Sequence, residues 1–105
     1  MAKTISDMGK TKLTVKGVSA AGNPTTKFYG VPAWISTDPT IVTLTPIDAQ
    51  NQYAESTGML GTSKVRVQAF KDSSMTQVIN GEIDITVEAG PAVVLQIDAA
   101  PEEPR

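Results

Sequence analysis

The chain has 105 residues and carries 9 basic and 11 acidic side chains, with neither histidine nor cysteine. This length predicts a single domain. The missing side chains exclude disulfides, thiolate catalysis, cysteine-ligated zinc and histidine as a general base. A net charge of −2 also argues against nucleic acid as a partner. Threonine (13), valine (10) and isoleucine (8) far outnumber leucine (4), and side chains branched at Cβ favour strands. The composition therefore predicts an all-β protein that is not an enzyme.

Short apolar alternations, broken by Gly, Pro, Asn and Asp, follow one another along the chain. Residues 1–10 have no clear period and are predicted to be an N-terminal arm that the fold does not need. Residues 11–98 are predicted to form the domain, and residues 99–105 an irregular C-terminal tail rich in proline and glutamate. Antiparallel strands are predicted over residues 12–18, 31–36, 40–45, 50–57, 63–70, 77–88 and 92–98.

The alternation also predicts which side chains face inward. Pro46 is expected to end the third strand, because proline lacks a backbone donor. The fourth strand is the weakest and is expected at a sheet edge. The predicted core consists of Trp34, Val42, Leu44, Val65, Val67, Ile83, Ile85 and Val87.

Three motifs resemble group 2 bacterial immunoglobulin-like domains. Residues 34–44 read W-I-S-T-D-P-T-I-V-T-L, which is similar to the family's Trp strand, its Ser-x-Asp-Pro corner and the following strand. Residues 61–69 read G-T-S-K-V-R-V-Q-A, similar to a later family strand, and residues 20–24 fit a loop between early strands. The resemblance covers about residues 11–98. It implies an immunoglobulin-like Greek-key β-sandwich of about seven antiparallel strands.

The two ends depart from the family pattern. Family domains open with an apolar strand before the position of Leu13, and the only candidate here is the arm around Ile5 and Met8. Conversely, residues 90–97 look like the opening strand of a following repeat. This last strand is expected either to fold back on its own domain or to add to another molecule.

The resemblance implies two functions. Such domains occur in tandem in invasin- and intimin-like adhesins, and singly or as appendages in tailed-phage virion proteins. A copy that starts at Met1, without an apolar leader or membrane span, resembles the phage case. It predicts a virion protein, made in the host cytoplasm without a signal peptide, that decorates or cements a capsid or is another head or tail component. The alternative is a cell-surface adhesion or carbohydrate-binding module.

The expected partners are the major capsid or another virion protein and further copies of the chain, in an oligomeric assembly without nucleic acid or membrane. Residues 1–71 hold eight basic and four acidic side chains, whereas residues 72–105 hold one and seven, so opposite ends are expected to attract. Candidate partner contacts are Lys3, Ile5, Met8, Tyr29, Val94, Gln96, Glu102 and Glu103.

No catalytic, cofactor-binding or metal-binding residues are predicted. Glu82 and Asp84 are the closest carboxylates on one strand face, but that face is predicted to point outward. The aspartates Asp38, Asp48 and Asp72 are scattered rather than clustered as a calcium loop requires. Residues 58–64 contain glycine and lysine but lack the Gly-Lys-Ser/Thr order of a phosphate-binding loop.

Overall fold

The computed structural model describes residues 2–105, which form nine strands and no helix. The all-β prediction is thus confirmed. The strands form a four-stranded sheet (β1-β9-β8-β5), a three-stranded sheet (β2-β7-β6) and a small hairpin (β3-β4). Every pairing is antiparallel except that of β1 with β9. The strand bounds are β1 Ala2–Ser6, β2 Lys10–Thr14, β3 Gly17–Val18, β4 Pro24–Thr25, β5 Tyr29–Ser36, β6 Val42–Asp48, β7 Asn51–Ser56, β8 Gly61–Phe70 and β9 Val78–Glu88.

The core contains apolar side chains from both larger sheets. Its buried members are Ile5, Ile41, Val42, Ala54, Val65, Ile85 and Val87. The prediction is confirmed for four core residues, whereas Trp34, Leu44 and Ile83 are half-buried against this cluster and Val67 is also half-buried. The difference arises because one part of the space between the sheets is open to solvent.

The N-terminal segment is part of the domain rather than an arm. Residues Ala2–Ser6 form β1, which pairs in parallel with residues 84–88 of β9. The side chain of Ile5 is only 8 % exposed and belongs to the core. The sequence hides this strand because it offers one large apolar residue in five, while its remaining side chains are exposed. The strand forms nevertheless, because its backbone pairs with that of β9.

The predicted last strand is not formed. Residues 89–105 have no strand, and residues 91–105, called the C-terminal segment below, are all exposed. The physical reason lies in β9, whose end at Glu88 has β8 on one side and β1 on the other. β9 itself therefore has no free edge where the segment leaves the domain. The molecule measures 77 × 23 × 22 Å, and fifteen extended residues span up to about 50 Å.

Two other predictions about strands were wrong. β7 lies in the middle of its sheet, between β2 and β6, so it is not an edge strand. β6 continues through Pro46 to Asp48, because β6 is itself the edge strand and the missing donor of Pro46 is not needed there.

The predicted strand over residues 12–18 is divided into β2 and β3. After β2 the chain leaves β7 and pairs with β4, where Gly17 faces Thr25. A Cβ atom on Gly17 would lie 2.5 Å from the carbonyl oxygen of Thr25, so this close approach requires glycine. The turn over residues 19–23, between β3 and β4, overlaps the loop predicted over residues 20–24.

A hydrogen-bonded pair of serines, one of them buried, fixes the corner between β5 and β6. The hydroxyl of Ser36 donates to the carbonyl of Val42 at 2.7 Å and lies 2.8 Å from the hydroxyl of Ser63. Ser63 in turn accepts the backbone N–H of Asp38 at 3.0 Å. Ser63 is 1 % exposed, so these bonds satisfy polar groups that water cannot reach.

Replacing Ser63 with alanine should lower the free energy of unfolding by about 1–3 kcal/mol, because the N–H of Asp38 loses its acceptor. Urea denaturation measures the change. Ser73→Ala, on an exposed loop, is the matched control and should change stability by less than about 0.5 kcal/mol. Equal effects of the two substitutions would contradict the role of the corner.

Candidate interaction surface

An apolar groove opens between the two larger sheets. It consists of two adjoining pockets of about 420 and 450 Å³, which share Val15, Lys16, Val18, Val67 and Gly81. The wall from the three-stranded sheet is β2 and the residues that follow it, and the opposite wall comes from β8 and β9. The remaining lining residues include Leu13, Phe28, Trp34, Val65, Ala69, Ile79 and Ile83.

Two of the strands that border the groove, β2 and β9, have a free backbone edge. β2 pairs only with β7 among the strands of residues 2–105. β9 pairs with β1 from Asp84 onward, so its earlier residues 78–83 have β8 on one side and no described strand on the other. Free edges carry backbone N–H and C=O groups that a further strand can bind.

Trp34 forms part of the groove wall. Its ring is half-buried against the core, and its Nε1 is buried without a hydrogen-bond acceptor in the part of the chain that the structure describes. The predicted role of Trp34 as a core residue is therefore met only in part. It is the only tryptophan, so tryptophan fluorescence reports on this one position in the groove wall.

The C-terminal segment is the most apolar exposed part of the described chain. Val93, Leu95 and Ile97 are 94, 90 and 96 % exposed, and Val94 lies between them. The segment starts at a fixed point, because the N–H of Gly90 donates to the Asp7 carboxylate at 3.2 Å. This point lies where β1 and β9 end, whereas the groove lies along the earlier half of β9.

Charges of opposite sign lie at the groove and on the segment. Lys16 lines the groove, whereas Lys10 and Lys12 lie on the other face of β2, where the Lys10 ammonium is 4.3 Å from the centre of the Tyr53 ring. The segment carries Asp98, Glu102 and Glu103 against Arg105. The attraction between ends of opposite charge stays a prediction.

The structure separates the predicted contact residues. Lys3 and Met8 lie near β1, whereas Tyr29 lies on β5, at the opposite edge of the same sheet. Ile5 is buried, so a partner would reach it only if β1 left the sheet. The other contact residues, Val94, Gln96, Glu102 and Glu103, lie in the C-terminal segment and are exposed; their contacts stay predictions.

The groove itself was not predicted. Its signal in the sequence was the apolar face of Leu13 and Val15, which the alternation marks as buried. The alternation cannot tell whether another strand of the same chain covers that face. Val18 and Gly81 gave no such signal, because a lone valine and a glycine are common in turns and bends.

The carboxylates considered for catalysis form ion pairs on an open sheet face. Glu82 lies 2.9 Å from Nε of Arg66 and 3.3 Å from Nζ of Lys64, and Asp84 lies 4.0 Å from the same Nζ. These contacts cross from β8 to β9 in the register of the sheet. Such pairs support strand pairing, each by a few tenths of a kcal/mol up to about 1.

The three scattered aspartates each organise their own turn. Asp38 accepts the N–H of Thr40, and Asp48 accepts the N–H of Gln50 and the amide of Asn51, which lowers the pKa of Asp48. No group of three or more Asp or Glu side chains that could hold a metal ion occurs within residues 2–105. These turns therefore account for the aspartates in local terms.

Asp72 holds the loop between β8 and β9 in place. Its carboxylate accepts the hydroxyls of Ser74 and Thr76 and the N–H groups of Thr76 and Gln77. These donors, Ser74 first, stabilise the charged form and hold the pKa of Asp72 well below its usual value of 3.8.

Acid should loosen this loop through Asp72. Because the folded-state pKa is depressed, the ionised carboxylate stabilises the loop above its unfolded pKa, and this contribution is lost as the pH falls through the folded pKa. Hydrogen-exchange protection factors of Thr76 and Gln77 should therefore fall as the pH drops below about 3.8. Asp72→Asn should lower these factors at neutral pH and flatten their dependence on acid. The same dependence in both proteins would contradict the assignment.

Comparison with known proteins finds no family model that matches the chain and no match among curated proteins. Within the described residues, no helix is long and apolar enough to span a membrane.

Proposed function

We propose that the chain is an immunoglobulin-like sandwich of the group 2 bacterial kind, with Greek-key connections. The strand orders support this assignment. With β2, β5, β6, β7, β8 and β9 taken as B to G, the two sheets have the orders B-E-D and G-F-C, which immunoglobulin-like sandwiches share. The Ser36–Asp38 corner of the motif also binds Ser63 of the second motif.

Its proposed function is that of a structural virion protein without enzymatic activity, which decorates or cements a phage capsid or is another head or tail component. The observation that carries this proposal is the C-terminal segment, whose four large apolar side chains its own domain leaves exposed. Exposed apolar surface of this kind indicates a protein partner. The virion enters through the resemblance, because a fold alone does not specify a function.

Mass spectrometry of purified particles tests this function. We expect the chain to be present in the particles at a fixed ratio to the shell protein, because it is proposed to bind the shell and neighbouring copies. Its absence from particles would overturn the proposal. Recovery in the cell-envelope fraction, together with binding to glycans or host cells, would favour the adhesion module instead.

A further inference from the structure

We propose that residues 92–98 of one copy form a strand in the groove of a second copy, along the open edge of β2. The occupant of the groove is thus the C-terminal segment of an identical chain. This inference builds on the proposed contact between copies. Its test uses the purified chain without particles, so the two proposals can fail separately.

The segment and the groove match in chemistry. Alternate residues of a strand point to the same side, so Val93, Leu95 and Ile97 form one apolar face of residues 92–98. The groove offers an apolar lining that includes Leu13, Val15, Val18, Trp34 and Ile83. Burial of one against the other removes both from water, which is the main driving force of association.

The backbone of the segment also finds partners in the groove. Residues 91–105 have no strand pairing in the isolated domain, and β2 has a free edge beside the groove. Addition of an extended segment to such an edge pairs the N–H and C=O groups of both. The prolines at 91, 101 and 104 flank the segment and leave all seven residues between 92 and 98 able to donate.

In the structure the segment does not return to its own groove. It leaves the domain at Gly90, which Asp7 holds at the far end of β9. From there residues 91–105 form no strand, and Val93, Leu95 and Ile97 are 94, 90 and 96 % exposed. The segment is therefore free to enter the groove of a second copy.

Charge favours the same pairing. The exposed Lys16 lines the groove, and Asp98, Glu102 and Glu103 lie at the end of the segment. Opposite charges accelerate encounter and disfavour wrong orientations. Because the donated segment and the receiving groove are different surfaces, the contact is heterologous and successive copies can add to one another.

Sedimentation of the full chain over a range of concentrations provides the first test. We expect reversible association, with a matching change in Trp34 emission. Leu95→Asp places a charge on the apolar face and should weaken association by more than about tenfold. Val94→Asp adds the same charge on the other face of the segment and should have a clearly smaller effect.

Complementation between two variants provides the second test. Val18 lines the groove yet is 68 % exposed, so Val18→Asp should fold and bind a segment poorly. Val31→Asp, at a residue 78 % exposed on β5, is the matched control and should associate normally. Leu95→Asp and Val18→Asp should each stay monomeric alone. Mixed together they should form one-to-one complexes, since one retains the groove and the other the segment.

Three results would overturn the inference. The full chain could remain monomeric at all concentrations, in which case the segment has a different partner. Leu95→Asp could associate as well as the unaltered chain, which would place the contact elsewhere. The mixture of the two variants could also fail to form complexes although each is folded by circular dichroism.

Discussion

Replacing Ile5 with alanine should lower the free energy of unfolding by about 2–5 kcal/mol, the cost typical of shortening a buried isoleucine. Ile5 is the buried side chain of β1, and it joins the core beside Val87 of β9. Urea denaturation measures the change. Met8→Ala, at a residue 92 % exposed, is the control and should alter stability by less than about 0.5 kcal/mol.

Removal of residues 1–8 should have a larger effect than the point substitution. It exposes the edge of β9 over residues 84–88 and opens the core where Ile5 lies. We expect this shortened chain to be unfolded or to melt far below the intact one, by circular dichroism and thermal denaturation. An unchanged melting temperature would show that the first residues form an arm, as the sequence pattern indicated.

The strands β8 and β9 were predictable from sequence because their alternation is regular and long. Val65 and Val87 point inward and Lys64 and Glu82 outward, and pairing at the wrong register would expose the apolar face. The pairing of β8 with β9 accordingly keeps one register, without a shift, from Gly61 to Phe70. In this part of the chain, the local pattern and the packing of the sheet agree.

The two ends show why local pattern is not sufficient. Residues 92–98 alternate between apolar and polar side chains more clearly than Ala2–Ser6 do. Even so, Ala2–Ser6 form a strand and residues 92–98 do not. A strand needs a free edge beside it, and β1 already lies beside the end of β9. Which segment reaches that edge depends on the path of the whole chain, which alternation over a few residues does not contain.

The groove was missed for a related reason. Alternation predicted correctly that Val67, Ile83 and Trp34 belong to an inward face, but they are half-buried because no described strand closes that side of the sandwich. The open groove and the uncovered C-terminal segment are therefore two apolar surfaces that the single domain leaves unburied. In the proposed assembly of copies, each of these surfaces would bury the other.

Ending the chain at Pro91 should leave the melting temperature unchanged and abolish binding to particles. The removed residues form no strand and are exposed, and their one side-chain hydrogen bond, from Gln96 to Asp98, lies within the removed part. The domain therefore loses no packing, while the proposed contact with neighbouring subunits would lose its apolar face. Thermal denaturation measures the first effect, and occupancy of purified particles measures the second.

A chain ended at Asp98 is the matched control for this truncation. It keeps Val93, Leu95 and Ile97 but loses residues 99–105, whose charged side chains are Glu102, Glu103 and Arg105. We expect it to associate with particles more slowly, and the association rate to depend less on salt, because exposed charges act chiefly on the rate of encounter. If the chain ended at Pro91 occupied particles fully, the contact would lie on a sheet face or a loop, and the apolar segment would serve another purpose.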